Sequence, residues 1–97
     1  MIEPEILDFL SCNIEIKEMV VGGIVYNDGF EVIGFTCDKD VLKIRIKDFT
    51  LDDIMPVPII LKKDNKTMML EECFGDGKDI LATRYGINED FKKIIVL

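Results

Sequence analysis

Three thiols and nineteen carboxylates are the groups from which this 97-residue chain would have to build nucleophilic or acid–base chemistry. It has no histidine, the usual acid–base group near neutral pH and the commonest metal ligand. That absence removes most hydrolytic and zinc mechanisms. Cys12, Cys37 and Cys73 stand far apart with no CxxC pair, which argues against a zinc site and against a disulfide framework. A nucleophilic cysteine needs a lowered pKa, from a neighbouring histidine or a helix N-terminus. Each cysteine here lies in or beside an apolar segment, so all three are expected to be buried structural thiols. Asp52–Asp53 and Glu71–Glu72 are adjacent carboxylate pairs. Neighbours on a strand point to opposite faces, so Glu71 and Glu72 are not expected to act on one substrate. No catalytic residue is assigned, no metal or cofactor is expected, and an enzyme is not the favoured reading.

The remaining motifs concern binding. Residues 73–78 read Cys-Phe-Gly-Asp-Gly-Lys, a glycine-rich turn leading toward a predicted helix, and such turns can cradle phosphate. The P-loop frame is not met: position 72 is glutamate where that frame needs glycine, and Gly77–Lys78 is followed by Asp79. Asp76 and Asp79 also miss the frame of a calcium loop. Residues 80–95 have the small-residue offsets of a helix-turn-helix in Ala82, Gly86 and Ile87, but Glu89 and Asp90 would face DNA phosphates. Lys43, Arg45 and Lys47 alternate with Leu42, Ile44 and Ile46. They form a three-cation stripe on one face of one strand, a candidate contact for an anionic partner. The alternative is a solvated face whose charges are met across the sheet by residues such as Glu15 and Glu31.

The stripe stands out because the chain carries a net charge of −7. Such a chain repels nucleic acid at long range, so direct nucleic-acid binding is not expected. Its 48% apolar content fits a folded domain, and 97 residues suit one, spanning 1–97. No apolar run approaches the roughly 18 residues of a membrane span. The acidic opening Met1-Ile2-Glu3-Pro4-Glu5 lacks the positive charge of a signal peptide. A cytoplasmic location without membrane attachment is therefore expected.

The elements that would position these residues follow from periodicity. Residues 4–11 read as a short helix, with proline in its first turn and Ile6, Leu7 and Leu10 as its apolar stripe beside Phe9. From Ile14 the period changes to two. Gly22–Gly23 suggests a bulge or sharp bend, and Asn27-Asp28-Gly29 a hairpin turn. Gly34 suggests a further bulge and Asp38-Lys39-Asp40 another turn. Residues 14–49 then form a three-stranded meander. Thr50 starts a single helical turn, and Pro56 and Pro58 place the strand at 57–62 on an edge or give it a late start. A strand over 67–73, a helix over 79–85 capped by Gly86, and a last strand over 93–97 complete the order. The apolar end at 94–97 would pair within its own sheet or with another chain.

The fold expected is a β-rich α+β domain. It would have five or six antiparallel strands in a small barrel or strongly bent sheet, an N-terminal helix, and a short helix before the last strand. This element order is similar to that of small closed barrels such as the OB-fold. The function expected is that of a non-enzymatic acidic interaction module, a small accessory or regulatory protein. It would bind a protein partner or a second copy of itself through Lys43, Arg45 and Lys47. One alternative is a small-molecule or nucleotide binder using a barrel mouth and the loop Gly75 to Lys78. Another is a nucleic-acid mimic that inhibits a protein with a basic groove.

Overall fold

The computed structural model describes residues 4–11, 16–52, 55–63 and 66–88. Helix α1 (Pro4–Ser11) buries Ile6, Phe9 and Leu10, the i, i+3, i+4 spacing of one helical face. Leu7, grouped with them by sequence, is instead 43% exposed. Lys63 closes the C-terminal end of α1. Its ammonium donates to the Phe9 carbonyl and sits 4.5 Å from the Phe9 ring centroid, a cation at the negative end of the helix and over an aromatic face.

Eight strands follow among the described residues: β1 (Glu18–Val21), β2 (Ile24–Tyr26), β3 (Val32–Asp38), β4 (Val41–Ile46), β5 (Val57–Lys62), β6 (Thr67–Asp76), β7 (Asp79–Ala82) and β8 (Tyr85–Asn88). All pair antiparallel, in the order β2-β1-β5-β6-β7-β4-β3, with β8 beside β6. The path has two ends, so its ladders do not close into a barrel. A single bridge, Ile16 to Phe30 with both N–H···O distances at 2.8 Å, ties the start of β1 to the segment leading into β3. The protein is a β-rich antiparallel sheet with one short N-terminal helix among the described residues.

The core lies against the inner face of this sheet. Met19, Leu42, Ile44, Ile59, Leu61, Met68, Leu70, Cys73 and Ile80 are almost wholly buried, and Ile6, Phe9 and Leu10 of α1 join the same cluster. β4 fits its expectation: Leu42, Ile44 and Ile46 are buried while Lys43, Arg45 and Lys47 are exposed.

Elsewhere the expectations need correction. The two glycine-bearing segments exchange roles. Gly22 and Gly23, at φ +55° and +89°, form the two-residue β1–β2 turn, because a tight hairpin needs positive φ at both central residues. Asn27 to Gly29 instead lie between Tyr26, paired with Met19, and Phe30, paired with Ile16. Four steps on one strand match three on the other, so this is a bulge. There is no three-stranded meander, since β2 and β3 share no ladder. The bulge expected at Gly34 falls at Ile33, the residue left over between the pairs Val32–Ile46 and Gly34–Arg45. Pro58 does not put β5 on an edge, for β5 lies between β1 and β6. Its missing N–H falls where the β5–β6 register slips between Val57 and Ile59, and its carbonyl accepts from Gly22 N–H at 2.9 Å. A proline is tolerated at such a slip because no ladder donor is needed there.

The helix expected over 79–85 is a strand pair. Gly77, at φ +62°, reverses the chain, and β7 and β8 then run back along β6 in one register from Asp76–Asp79 through Leu70–Tyr85. The alternation of Ile80 and Ala82, both buried, wins over local helix signals because β6 offers a partner along its whole length. Gly86 caps no helix and pairs with Met69. The first helix of the helix-turn-helix reading is lost with this segment. Residues 50–52 are not helical either. Leu51 is buried and its carbonyl lies over Gly75, where an added Cβ would stand 1.8 Å from the Leu51 oxygen. The expected strand at 93–97, Ile14 and the second helix-turn-helix element fall outside the described residues.

The Leu51–Gly75 contact makes a stability prediction. Gly75→Ala should lower stability in urea unfolding by about 1–3 kcal/mol, the usual cost of overpacking. Gly34→Ala, where an added Cβ meets nothing within 4 Å, should change it by much less. Equal effects of the two changes would show that the chain over Gly75 gives way freely.

Candidate interaction surface

The outer face of the β3–β4–β7 region is built by one consequence of strand geometry. Burial of Leu42, Ile44 and Ile46 turns Lys43 and Arg45 outward, and Lys47 follows them, also exposed. On β3, the residue opposite Lys43 is Thr36 and that opposite Arg45 is Gly34. These are small, so little covers the cation stems from that side. The bulge at Ile33 puts a 54% exposed apolar side chain next to them. On the other side β7 pairs Leu81 with Lys43 and Ile80 with Ile44, which brings Asp79 level with Arg45.

Arg45 and Asp79 form a two-pronged ion pair. Arg45 Nε donates to Asp79 Oδ1 at 2.9 Å and Nη2 to Oδ2 at 3.2 Å. The hydrogen bond from Arg45 holds the Asp79 carboxyl below its ordinary range, helped by the charges of Arg45 and Lys43. Reciprocally, Asp79 raises the Arg45 pKa. Arg45 therefore finds a partner on β7. Glu15 lies outside the described residues, and Glu31 meets this strand only through its backbone, accepting from Lys47 N–H at 2.9 Å. Among the described residues, Lys43, Lys47 and Lys78 have no ion pair.

Two adjoining shallow clefts flank the Arg45 side chain. One, of about 370 Å³, has Gly34 and Thr36 on one side and Lys43 and Arg45 on the other. The second, of about 350 Å³, is lined by Lys47, Phe49, Thr50 and Lys78, and both clefts share Ile33 and Arg45. Sequence reading missed Lys78 and Asp79 as members of this surface. Part of the signal was present: a glycine turn at 77 followed by alternating Ile80 and Ala82 reads as a hairpin, which sets Asp79 opposite Asp76 on β6, whereas the pairing of β7 with β4 that brings Asp79 to Arg45 has no local signal. The same turn removes the phosphate-cradle reading of Gly75 to Lys78, because no helix N-terminus follows it.

A second exposed surface is β2, where Ile24, Val25 and Tyr26 are all exposed on a strand that pairs, among the described residues, with β1 alone. Its base is anchored by edge-to-face contacts among Tyr26, Phe30 and Phe49 with ring centroids 6.3–6.5 Å apart.

The thiols occupy different surroundings. Cys73 is fully buried, and burial pushes its pKa up to about 12. It stays a neutral thiol at ordinary pH, the opposite of what a nucleophile needs. Cys37 is half-buried with its Sγ 3.3 Å from the Tyr85 hydroxyl oxygen. Cys12 lies outside the described residues. Glu71 and Glu72 are both exposed, because the β5–β6 slip interrupts strict alternation there, and Glu71 pairs with Arg84 at 3.1 Å. No group of three or more cysteine or carboxylate side chains among the described residues could hold a metal ion, and no helix among them is long and apolar enough to cross a membrane.

No family model, no curated protein and no solved structure matches this chain.

Two outcomes follow from these surroundings. Asp79 has a depressed folded pKa, so the ion pair contributes to stability above the unfolded carboxylate pKa and ceases to as pH falls through the folded one. Asp79→Asn should thus be less stable than the parent at pH 7, by a small margin for so exposed a pair, and the gap should close in acid. A gap that stayed constant down to pH 2 would mean the charge of Asp79 is not what matters. In native protein at pH 8, Cys73 should resist a thiol reagent until the chain unfolds. Rapid stoichiometric labelling at Cys73 would contradict its burial.

Proposed function

We propose that this protein is a non-enzymatic interaction module that docks an anionic surface of a protein partner on the outer face of β3, β4 and the β6–β7 turn. The observation that supports this reading is the gathering of Lys43, Arg45, Lys47 and Lys78 around two clefts with an exposed Ile33 at their shared wall. On a chain of net charge −7, cations placed by chance would be expected among neighbouring carboxylates. Here the carboxylates bordering the clefts are Asp79, already committed to Arg45, and Asp48. An apolar contact ringed by charge is the usual make-up of a protein docking patch.

The other readings fare less well. Shallow open clefts suit a small-molecule ligand poorly, since such sites bury most of their ligand. A nucleic-acid mimic would present rows of carboxylates, which this face does not. The bridge between Ile16 and Phe30 favours a sheet curled back on itself, so we take a small, incompletely laddered barrel as the scaffold that carries the face. Association of two copies has one observation in its favour, the exposed apolar strand β2 at an end of the sheet formed by the described residues.

The test is affinity capture from a lysate of the protein's own source, comparing the parent with a Lys43→Glu, Arg45→Glu, Lys47→Glu triple variant. A protein retained by the parent and lost by the variant, at least about tenfold for three reversed charges, is the expected result. A partner held equally by both would discard the basic face as the site. Recovery of the protein alone, with a sedimentation mass of two copies, would turn the assignment to β2.

A further inference from the structure

The Arg45–Asp79 pair leaves the basic face with a directional receptor. Two of the five guanidinium N–H donors go to Asp79, and the other three go to no described residue. Because Asp79 holds the guanidinium by both of its oxygens, the plane of the fork is fixed rather than free to swing. The cleft beside it is bordered by Gly34, which has no side chain, by Thr36 and by Lys43. An incoming group can therefore reach both cations from above β3 without displacing a bulky neighbour.

The spacing of the cations selects the shape of the occupant. Lys43 and Arg45 lie two residues apart on one strand, about 7 Å along it. An extended segment carrying acidic residues at alternate positions has its carboxylates at the same interval on one face, whereas adjacent acidic residues point to opposite faces. The same spacing selects the anion, because two cations about 7 Å apart along a strand match two separate carboxylates better than the single compact charge of a phosphate. The exposed Ile33 offers an apolar contact to a neighbouring side chain of the same segment.

We infer that the occupant of this face is an extended protein segment with carboxylates at every second residue, gripped by Lys43 and by the outward donors of an Arg45 that Asp79 holds in position. This rests on the docking reading above and adds the chemistry and spacing of the partner. Asp79 is a positioning residue here, and Arg45 and Lys43 are the binding groups.

The test uses the full chain labelled with ¹⁵N and two peptides of identical composition and charge. One is acetyl-Gly-Glu-Thr-Glu-Thr-Glu-Gly-amide, with alternating carboxylates. The other is acetyl-Gly-Glu-Glu-Glu-Thr-Thr-Gly-amide, with contiguous ones. Inorganic phosphate forms a third arm. The alternating peptide should give saturable shifts centred on Gly34, Thr36, Lys43 and Arg45, with a Kd at least about fivefold tighter than its isomer. Arg45→Gln should abolish that preference while keeping a dispersed spectrum, and Lys66→Gln, the same loss of charge outside both clefts, should not. Equal affinity for the two peptides would overturn the spacing, and tighter binding of phosphate than of either peptide would overturn the carboxylate assignment. No binding by either peptide would overturn this inference alone if the triple variant still loses its captured partner. If that capture fails as well, the docking reading falls with it.

Discussion

The arrangement of this molecule depends on the burial of one face of β4. Leu42, Ile44 and Ile46 lie almost wholly inside, and each such side chain contributes roughly 1.5–3 kcal/mol when removed from water. A slip of one residue against β3 or β7 would turn these three outward and drive Lys43, Arg45 and Lys47 into the core. No ion pair at the surface approaches the size of that penalty, since exposed pairs contribute about 0–1 kcal/mol. Apolar burial therefore fixes the register, and the position of every cation on the outer face follows from it. The Arg45–Asp79 contact is a consequence of the register rather than its cause.

A second constraint comes from β6, which pairs with β5 on one side and with β7 and then β8 on the other. The turn at Gly77 lets a single register run from Asp76–Asp79 to Leu70–Tyr85. This places β7 between β6 and β4, so the half of the sheet carrying the clefts is joined to the half built on β1 and β5. The approach of the Leu51 carbonyl to Gly75 belongs to the same region. Chain leaving the basic strand thus packs back over the hairpin that supplies Lys78 and Asp79. The local rules broken along the way all lie at slips in pairing: Pro58 inside a central strand, exposed Ile33 within β3, and Glu71 and Glu72 exposed side by side. At a slip the demand for a donor or for strict alternation is lifted locally.

On the proposed docking reading, function is carried by the surface. Among the described residues the buried side chains are apolar except for Thr67, and the buried thiol of Cys73 is held neutral by its surroundings. The clefts on the outer face of β3 and β4 are bordered by two carboxylates, Asp48 and Asp79, and Asp79 is already engaged by Arg45. An arginine held by a neighbouring carboxylate keeps its orientation when a partner approaches. It therefore loses less freedom on binding than three mobile lysines would.

Sequence by itself determined the elements whose signal lies within a few residues. The α1 helix, the alternation of β4, the turn at Asp38 to Asp40 and the exposure of Lys43, Arg45 and Lys47 were all legible, because period and local charge decide them. The count and pairing of strands were not. Glycine at 22, 23, 29 and 77 marks a place where the chain can adopt positive φ, but the local sequence does not say whether a given site becomes a turn or a bulge. That choice depends on which distant strand completes the ladder. The same reason hid the pairing of β7 with β4 and the central position of β5 despite its prolines. It also hid Asp79 as the partner of Arg45, 34 residues away. Only the tertiary structure decided these, because a strand's hydrogen bonds are satisfied by another segment and not by its own neighbours.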